Sequence, residues 1–131
     1  MPFAASGNGY ILNEVTASAP TCLSEVVTVG AIDAQSKVAI YTTMNSKVEL
    51  LASDYAKSAT TVGYQTSGGT SAATPVVAAS YALLRQAFPT ASAQLVLDAI
   101  GSSYAEAVAK AMGADVLTSV QYDGSGTVWS I

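Results

Sequence analysis

The sequence has no histidine, and this absence restricts its chemistry more than any other feature of the composition. Histidine is the commonest general base, proton shuttle and zinc ligand in proteins. Cys22 is the only cysteine, which excludes an intrachain disulfide. We therefore predict that the chain holds no metal and no cofactor.

Charged residues are also scarce, at 11% of the chain, and they are mainly acidic. Five lysines and arginines stand against nine aspartates and glutamates, so the net charge is −4 and we predict no nucleic-acid partner. No apolar run reaches the ~18–20 residues of a membrane-spanning helix, so we predict no membrane partner either. Half of the residues are nevertheless apolar, which indicates deeply buried elements or a surface that another molecule covers.

Signals of cellular location are missing as well. The segment Met1–Ala4 lacks the basic region and the long apolar core of a secretory signal, so the localisation stays open. A length of 131 residues is typical of one domain, and we interpret residues 1–131 as a single unit. Because the sequence starts directly in an apolar, strand-like segment, we expect it to be a piece of a longer protein.

The stretch Ser67–Pro75, with sequence SGGTSAATP, is the most informative part of the chain. Its two glycines permit a sharp turn and the close approach of another group. Thr70 or Ser71 is then predicted to cap the strongly apolar helix that follows, from about Ala72 to Phe88. Ser71 would lie at the positive end of the helix dipole, a favourable place for a nucleophile whose reaction builds negative charge. The alternative is a capped, buried helix without chemistry.

Short apolar segments separated by turns precede this stretch. Pro2–Ser6 ends at a Gly-Asn-Gly turn that presents Asn8. Glu25–Asp33 is rich in β-branched residues and almost continuously apolar, which is typical of a central strand covered on both faces. Further predicted elements are short strands at Val38–Thr43 and Val48–Ala52, and one arm of a hairpin at Ala59–Gln65.

Downstream of the apolar helix, the pattern stays helical and then changes. Thr90 or Ser92 is predicted to cap a second helix of about ten residues. A third helix is predicted at Tyr104–Met112. The tail, Val116–Ile131, is strand-like on both sides of a turn at Asp123–Gly126, which predicts a hairpin.

Three short segments carry a resemblance to a known family. Phe3–Asn8 looks like a strand and turn that present an oxyanion-hole asparagine, Val26–Ala31 looks like the next buried strand, and Gly69–Pro75 looks like a nucleophile motif. In this order and spacing, the chain resembles the C-terminal half of a subtilisin-like serine protease (subtilase) catalytic domain. The resemblance covers about residues 2–101, whereas residues 102–131 match poorly. It implies a partial subtilisin-like α/β fold, with a mostly parallel sheet and a central buried helix.

The resemblance also implies an active site. In the family mechanism, for which subtilisin itself is a standard example, Ser71 would attack the carbonyl of a polypeptide substrate. The Asn8 side-chain amide and the Ser71 backbone N–H would stabilise the oxyanion, so we expect these two residues to lie close in space. An amide on a rigid turn and an N–H at a helix start are preorganised donors, which agrees with both roles. Ala4, Ala5 and Gly7 would line part of the substrate side-chain pocket.

The chain departs from the family pattern in ways that affect activity. The general-base histidine and its orienting aspartate belong to the N-terminal half of the family domain, and Asp33 and Asp54 do not match the position of the triad aspartate. Ser53 and Asp54 stand where the family usually has Pro-Gly after the short strand. A serine hydroxyl without a base is a poor nucleophile at neutral pH, so we expect the isolated chain to be inactive. Full-length proteases of this class are often secreted.

Two other functions are compatible with the sequence alone. One is a non-catalytic binding or assembly module that retains the half-fold. The other is a plain α/β domain whose motifs match by chance. Asp-Thr-Gly and His-Gly-Thr-like motifs in an upstream coding sequence would favour the protease.

The apolar helix also predicts association. No charged residue occurs from Ala72 to Leu84, and in the family this helix is buried against elements of the N-terminal half. Each large apolar side chain left in water forfeits about 1.5–3 kcal/mol of burial free energy, so the surface has to be covered. We expect a homo-oligomer, most simply a two-fold dimer. The alternative is that Tyr104–Ile131 folds over the gap.

Overall fold

The computed structural model describes residues 1–9, 16–101, 118–122 and 128–130. These residues contain seven strands and two helices. In chain order they are β1 (Phe3–Ala5), β2 (Val27–Ile32), β3 (Val48–Ser53), β4 (Ala56–Thr60), β5 (Gly63–Ser67), α1 (Thr70–Ala87), α2 (Ala93–Ile100), β6 (Thr118–Tyr122) and β7 (Val128–Ser130).

Five of these strands form one sheet in the order β1-β2-β3-β6-β7. The first three strands are parallel, and β6 and β7 extend the sheet in antiparallel pairing. Every residue of β2 is buried, as the continuous apolar pattern of this segment predicts for a central strand. The predicted α/β architecture with a parallel core is confirmed.

The core lies on both faces of the parallel strands. On one face, Val29 and Leu50 pack with Val77 of α1 and Ile100 of α2. On the other face, residues such as Leu51 pack against the loop that joins β2 to β3. Successive residues of a strand point to opposite faces of the sheet, so neighbouring side chains of β3 belong to the hydrophobic clusters on the two faces.

The start of α1 differs from the prediction. Its N-cap is Gly69 with φ +100°, and no side chain caps the helix, whereas Thr70 or Ser71 was the predicted cap. The physical reason is a tertiary contact, because the Thr70 hydroxyl bonds to Asn8 and not to the helix backbone. Pro75 is the sixth helical residue, so no N–H is available there for the Ser71 carbonyl.

Burial of α1 is confined to the side that faces the sheet. The side chains of Ala72, Ala73 and Val77 are buried there. We define the outer face of α1 as Pro75, Ala79, Ala82 and Leu83, which share one side of the helix by their spacing and are all exposed. The apolar sequence of α1 predicts that all sides of the helix are buried. Instead, no described residue packs over the outer face of α1.

Two predicted strands upstream of α1 have other structures. Val38–Thr43 is not a strand, because only Val38 makes an isolated bridge, to Ile32. The threonines of this segment bond inward, with the Thr42 hydroxyl donating to the carbonyl of Ala31 at 3.1 Å. Ala59–Gln65 is not a single hairpin arm, since it contains the turn between β4 and β5.

The C-terminal elements agree with the sequence where the structure describes them. Helix α2 is capped by Ser92, whose hydroxyl oxygen accepts the Leu95 N–H at 3.1 Å, and it has eight residues. Strands β6 and β7 pair as the hairpin prediction requires. The predicted third helix, Tyr104–Met112, and the turn Asp123–Gly126 lie outside the described residues. No helix among the described residues is long and apolar enough to cross a membrane.

Candidate active site

The predicted residues Asn8 and Ser71 lie at the carboxyl ends of the parallel strands, together with Tyr41 and Asp54. Asn8 follows β1, Tyr41 lies in the loop after β2, Asp54 follows β3, and Ser71 is the second residue of α1. The carboxyl edge of a parallel sheet is where open α/β folds usually hold their sites. Three separate loops and one helix start therefore converge at this edge.

The Asn8 side chain is fixed by the residue next to Ser71. Its Oδ1 accepts the Thr70 backbone N–H at 3.0 Å and the Thr70 hydroxyl at 2.9 Å. A backbone N–H can only donate, so the oxygen of the amide must face Thr70 and the nitrogen Nδ2 must face away. Asn8 thus lies against the start of α1, and its N–H₂ group has no acceptor among the described residues.

The turn that carries Asn8 is held on both sides. The Gly9 N–H donates to the hydroxyl oxygen of Thr43 at 3.0 Å, and the Thr43 N–H donates to the carbonyl of Gly7 at 2.9 Å. The Gly7 N–H donates to the Thr70 hydroxyl oxygen at 3.3 Å. These hydrogen bonds fix the position of the turn and therefore of the Asn8 amide.

Position 69 requires glycine for two reasons, which are its backbone conformation and the lack of space for a side chain. Gly69 has φ +100°, which side-chain-bearing residues rarely adopt. A Cβ atom placed there would lie 3.1 Å from Asn8 Nδ2. The second glycine of the SGGTS stretch therefore lets the Asn8 amide approach the helix start.

Ser71 is exposed in the first turn of α1. Within residues 1–9 and 16–101, its backbone N–H and hydroxyl have no hydrogen-bond partner. No acidic residue occupies this first turn, so the partial positive charge of the helix start is not neutralised there. A hydroxyl and an N–H are thus both available beside the Asn8 amide.

The acidic residues near this edge are engaged in loop structure. The Asp33 carboxylate accepts the backbone N–H groups of Gln35 and Lys37, each at 2.9 Å. The Asp54 carboxylate accepts the Tyr41 hydroxyl. No group of three or more metal-ligating side chains occurs in the part of the chain that the structure describes. Since the chain has no histidine, the described residues of this site contain no ordinary base for Ser71.

Tyr41 is a site residue that the sequence did not reveal. Its hydroxyl donates to Asp54 Oδ2 and accepts the Gly69 N–H at 3.1 Å. Burial raises the pKa of Tyr41 to about 12, and the hydrogen bond to Asp54 and the charge of Asp54 act in the same direction. The one available signal was the pair Ser53-Asp54 in place of the usual Pro-Gly.

We expect the fold to lose stability as Tyr41 ionises. The ordinary pKa of 10.0 is raised in the folded chain, so the neutral phenol is the form that folding favours. Its contribution is complete below pH 10 and is lost as the pH rises through about 12. Urea unfolding across this range should show a steeper loss for the native chain than for Tyr41→Phe. Equal slopes would contradict the assignment.

Ala4 and Ala5 lie on β1, half-buried, and pair in parallel with Thr28 and Val29 of β2. Among the described strands, β1 has a neighbour on one side only, so it is an edge strand. Both alanines thus line the open edge that leads to Asn8. Their role in a substrate pocket, like that of Gly7, stays a prediction.

Comparison with solved structures supports the predicted fold. A search of curated proteins found no match. Among solved structures, the chain is similar to a lanthipeptide protease, with a TM-score of 0.62 and 23% sequence identity. The similarity covers 76% of this chain and 41% of that protein, so the chain spans about two fifths of its length.

The family comparison covers nearly the whole chain. The sequence model of Peptidase_S8, the subtilase family, matches residues 2–120. This match extends beyond residue 101, where the recognised motifs end, and reaches strand β6. The chain therefore belongs to the subtilase family.

Proposed function

We propose that this chain is the nucleophile-bearing part of a subtilisin-like serine endopeptidase. Ser71 is the nucleophile, and the Asn8 amide with the Ser71 N–H forms the oxyanion hole. The observation that carries the proposal is the fixed Asn8 amide, whose Oδ1 is occupied by Thr70 while Nδ2 faces away from it. A preorganised donor of this kind needs no reorganisation when negative charge develops.

The chemistry of the proposed reaction requires one further group. Ser71 Oγ forms a bond to the carbonyl carbon of a peptide, its proton passes to a base, and the carbonyl electron pair becomes an oxyanion. Asn8 Nδ2 and the Ser71 N–H donate to that oxyanion. The same base then returns the proton to the leaving amine. This chain has no histidine, so a different polypeptide segment has to supply the base.

We expect the isolated chain to react poorly with a fluorophosphonate probe of active serines. When a subtilase segment carrying the triad histidine and aspartate is supplied, Ser71 should be labelled stoichiometrically. Ser71→Ala should abolish this labelling, and Ser80→Ala is the matched control, because the Ser80 hydroxyl is held by the carbonyl of Val76 farther along the same helix.

Two results would contradict this proposal. Rapid stoichiometric labelling of the isolated chain would mean that an unrecognised base serves Ser71. Labelling in the complemented sample that persists in Ser71→Ala, or that never appears in the native chain, would remove Ser71 from the nucleophile role. Mass spectrometry of the labelled peptide distinguishes these cases.

We also propose that the chain alone forms a homo-oligomer, most simply a two-fold dimer, that covers the outer face of α1. Leu83 of this face is 58% exposed, and Phe88 at the end of α1 is also 58% exposed. Strand β1 adds an open sheet edge, and an antiparallel pairing of two such edges is compatible with two-fold symmetry. The outer face of α1 exposes apolar side chains, and the edge of β1 exposes backbone hydrogen-bonding groups. Burying either surface in a dimer removes it from water, which is favourable.

Light scattering at micromolar concentration is expected to give a dimer for the native chain. Leu83→Lys should shift the mass toward the monomer, because it places a charge on the outer face of α1. Val62→Lys is the control, since Val62 is 95% exposed at the tip of the β4–β5 hairpin. A stable, well-folded monomer of the native chain would contradict the association.

A further inference from the structure

The Tyr41 hydroxyl connects two loops at the carboxyl edge of the sheet. It donates to Asp54 Oδ2, after β3, and accepts the N–H of Gly69, before α1. Tyr41 is half-buried against the main core cluster. Asp54 is anchored too, because its backbone N–H donates to the carbonyl of Ile32 at 2.9 Å. The Tyr41 hydroxyl is thus hydrogen-bonded to two loops, one after β3 and one before α1.

Gly69, the residue that Tyr41 holds, contacts both parts of the proposed site. Its carbonyl accepts the Ala72 N–H at 2.9 Å and so begins α1. Its Cα lies against the Asn8 amide, where a Cβ would be 3.1 Å from Nδ2. Gly69 is also buried, and a buried N–H without a partner is costly. Tyr41 therefore supplies the partner that this strained position needs.

The Asp54 carboxylate strengthens the connection. A hydroxyl that donates to a charged acceptor becomes a better acceptor itself, because successive hydrogen bonds polarise one another. Asp54 thus makes the Tyr41 hydroxyl a stronger acceptor for the Gly69 N–H.

We propose that Tyr41 and Asp54 are positioning residues that hold Gly69 in place and thereby keep the Asn8 amide against the start of α1. Neither residue acts on substrate. The consequence for catalysis rests on the proposed function, since Asn8 has to be the oxyanion donor for its position to affect a rate. The positioning itself is measurable in the isolated chain, without activity.

The test is amide hydrogen exchange and ¹H–¹⁵N NMR of the isolated chain at neutral pH. Tyr41→Phe removes the acceptor for the Gly69 N–H, so exchange at Gly69 should accelerate about tenfold or more. The Asn8 side-chain amide signals should shift in the same variant. Tyr55→Phe is the matched control, because Tyr55 is 68% exposed and its hydroxyl has no hydrogen bond within the described residues.

Variants of Asp54 test the second half of the proposal. Asp54→Ala leaves the phenol without its acceptor, so Gly69 exchange should accelerate less than in Tyr41→Phe but clearly more than in Tyr55→Phe. Asp54→Asn still offers a carbonyl oxygen to the phenol and should restore most of the protection. This rescue distinguishes a positioning hydrogen bond from a general loss of stability.

Each half of the proposal has a result that would overturn it. Gly69 exchange within twofold of the native rate in Tyr41→Phe, or an equal effect in Tyr55→Phe, would overturn the role of Tyr41. Native exchange in Asp54→Ala would overturn the role of Asp54. Because this readout does not depend on Ser71 labelling, loss of the proposed function would leave the positioning result intact, and the reverse also holds.

Discussion

Gly30→Ala is expected to lower the free energy of unfolding by about 1–3 kcal/mol, because it overfills the centre of the sheet. A Cβ atom on Gly30 would lie 2.6 Å from Leu51 Cδ2 and 3.0 Å from Thr42 Cγ2. Leu51 is 1% exposed and Thr42 is equally buried, so neither side chain has free space into which to move. Urea unfolding followed by circular dichroism measures the loss.

Gly68→Ala provides the matched control for this substitution. Among the described residues, a Cβ added at Gly68 would meet only the carbonyl oxygen of Asp54, at an ordinary contact distance of 3.6 Å. We expect its unfolding midpoint to stay close to that of the native chain. A Gly30→Ala protein as stable as the Gly68→Ala protein would mean that the sheet adjusts its spacing around β2.

Gly69→Ala is expected to dismantle the proposed oxyanion site as well as to lower stability. The positive φ of Gly69 costs about 1–3 kcal/mol for a residue with a side chain. The new methyl would press on Asn8 Nδ2, and rotation of the amide away from Thr70 would forfeit about 1 kcal/mol for each of its two hydrogen bonds with Thr70. The Asn8 side-chain NMR signals should move to the positions of a free amide.

Gly63→Ala separates the cost of the backbone strain from the effect of the contact with Asn8. Gly63 has φ +125°, so alanine there meets a similar backbone strain, but no atom of the described residues lies within 4 Å of the added Cβ. This control should lower stability and leave the Asn8 signals unchanged. Identical Asn8 spectra in the two variants would show that the close approach of Gly69 and Asn8 does not hold the amide.

The parts of the fold that follow from local pattern were predictable. The buried β2 strand was evident from its run of β-branched residues, and α1 from its long apolar segment before a proline. Ser71 became a candidate because a glycine loop followed by a helix start has a clear local signature, whereas Asn8 became one through the resemblance of its strand and turn to the family. Both roles stay predictions. In the structure Asn8 bonds to Thr70, the residue next to Ser71.

Most of the features that the sequence did not predict depend on distant partners. Local capping rules assign a hydroxyl to the start of α1, but Asn8 takes the Thr70 hydroxyl and leaves Gly69 as the cap. The threonines after β2 favour a strand by propensity, but the Thr42 hydroxyl donates to the carbonyl of Ala31 in β2, and the Thr43 hydroxyl accepts the N–H of Gly9 in the turn after β1. The Tyr41–Asp54 contact joins residues with no local pattern in common.

The hydrogen bonds between Asn8 and Thr70 have a consequence for the time at which the site forms. They join residues 62 positions apart, and the strand that carries Asn8 has to pair with β2 before it is fixed. Contacts of such long range form only after the entropy of closing the intervening chain has been overcome, so they belong to the late steps of folding. A chain still leaving the ribosome presents Asn8 long before Ser71 is synthesised. The proposed oxyanion donor is therefore held in place only in the finished fold, and a partly made chain has not yet assembled the proposed site.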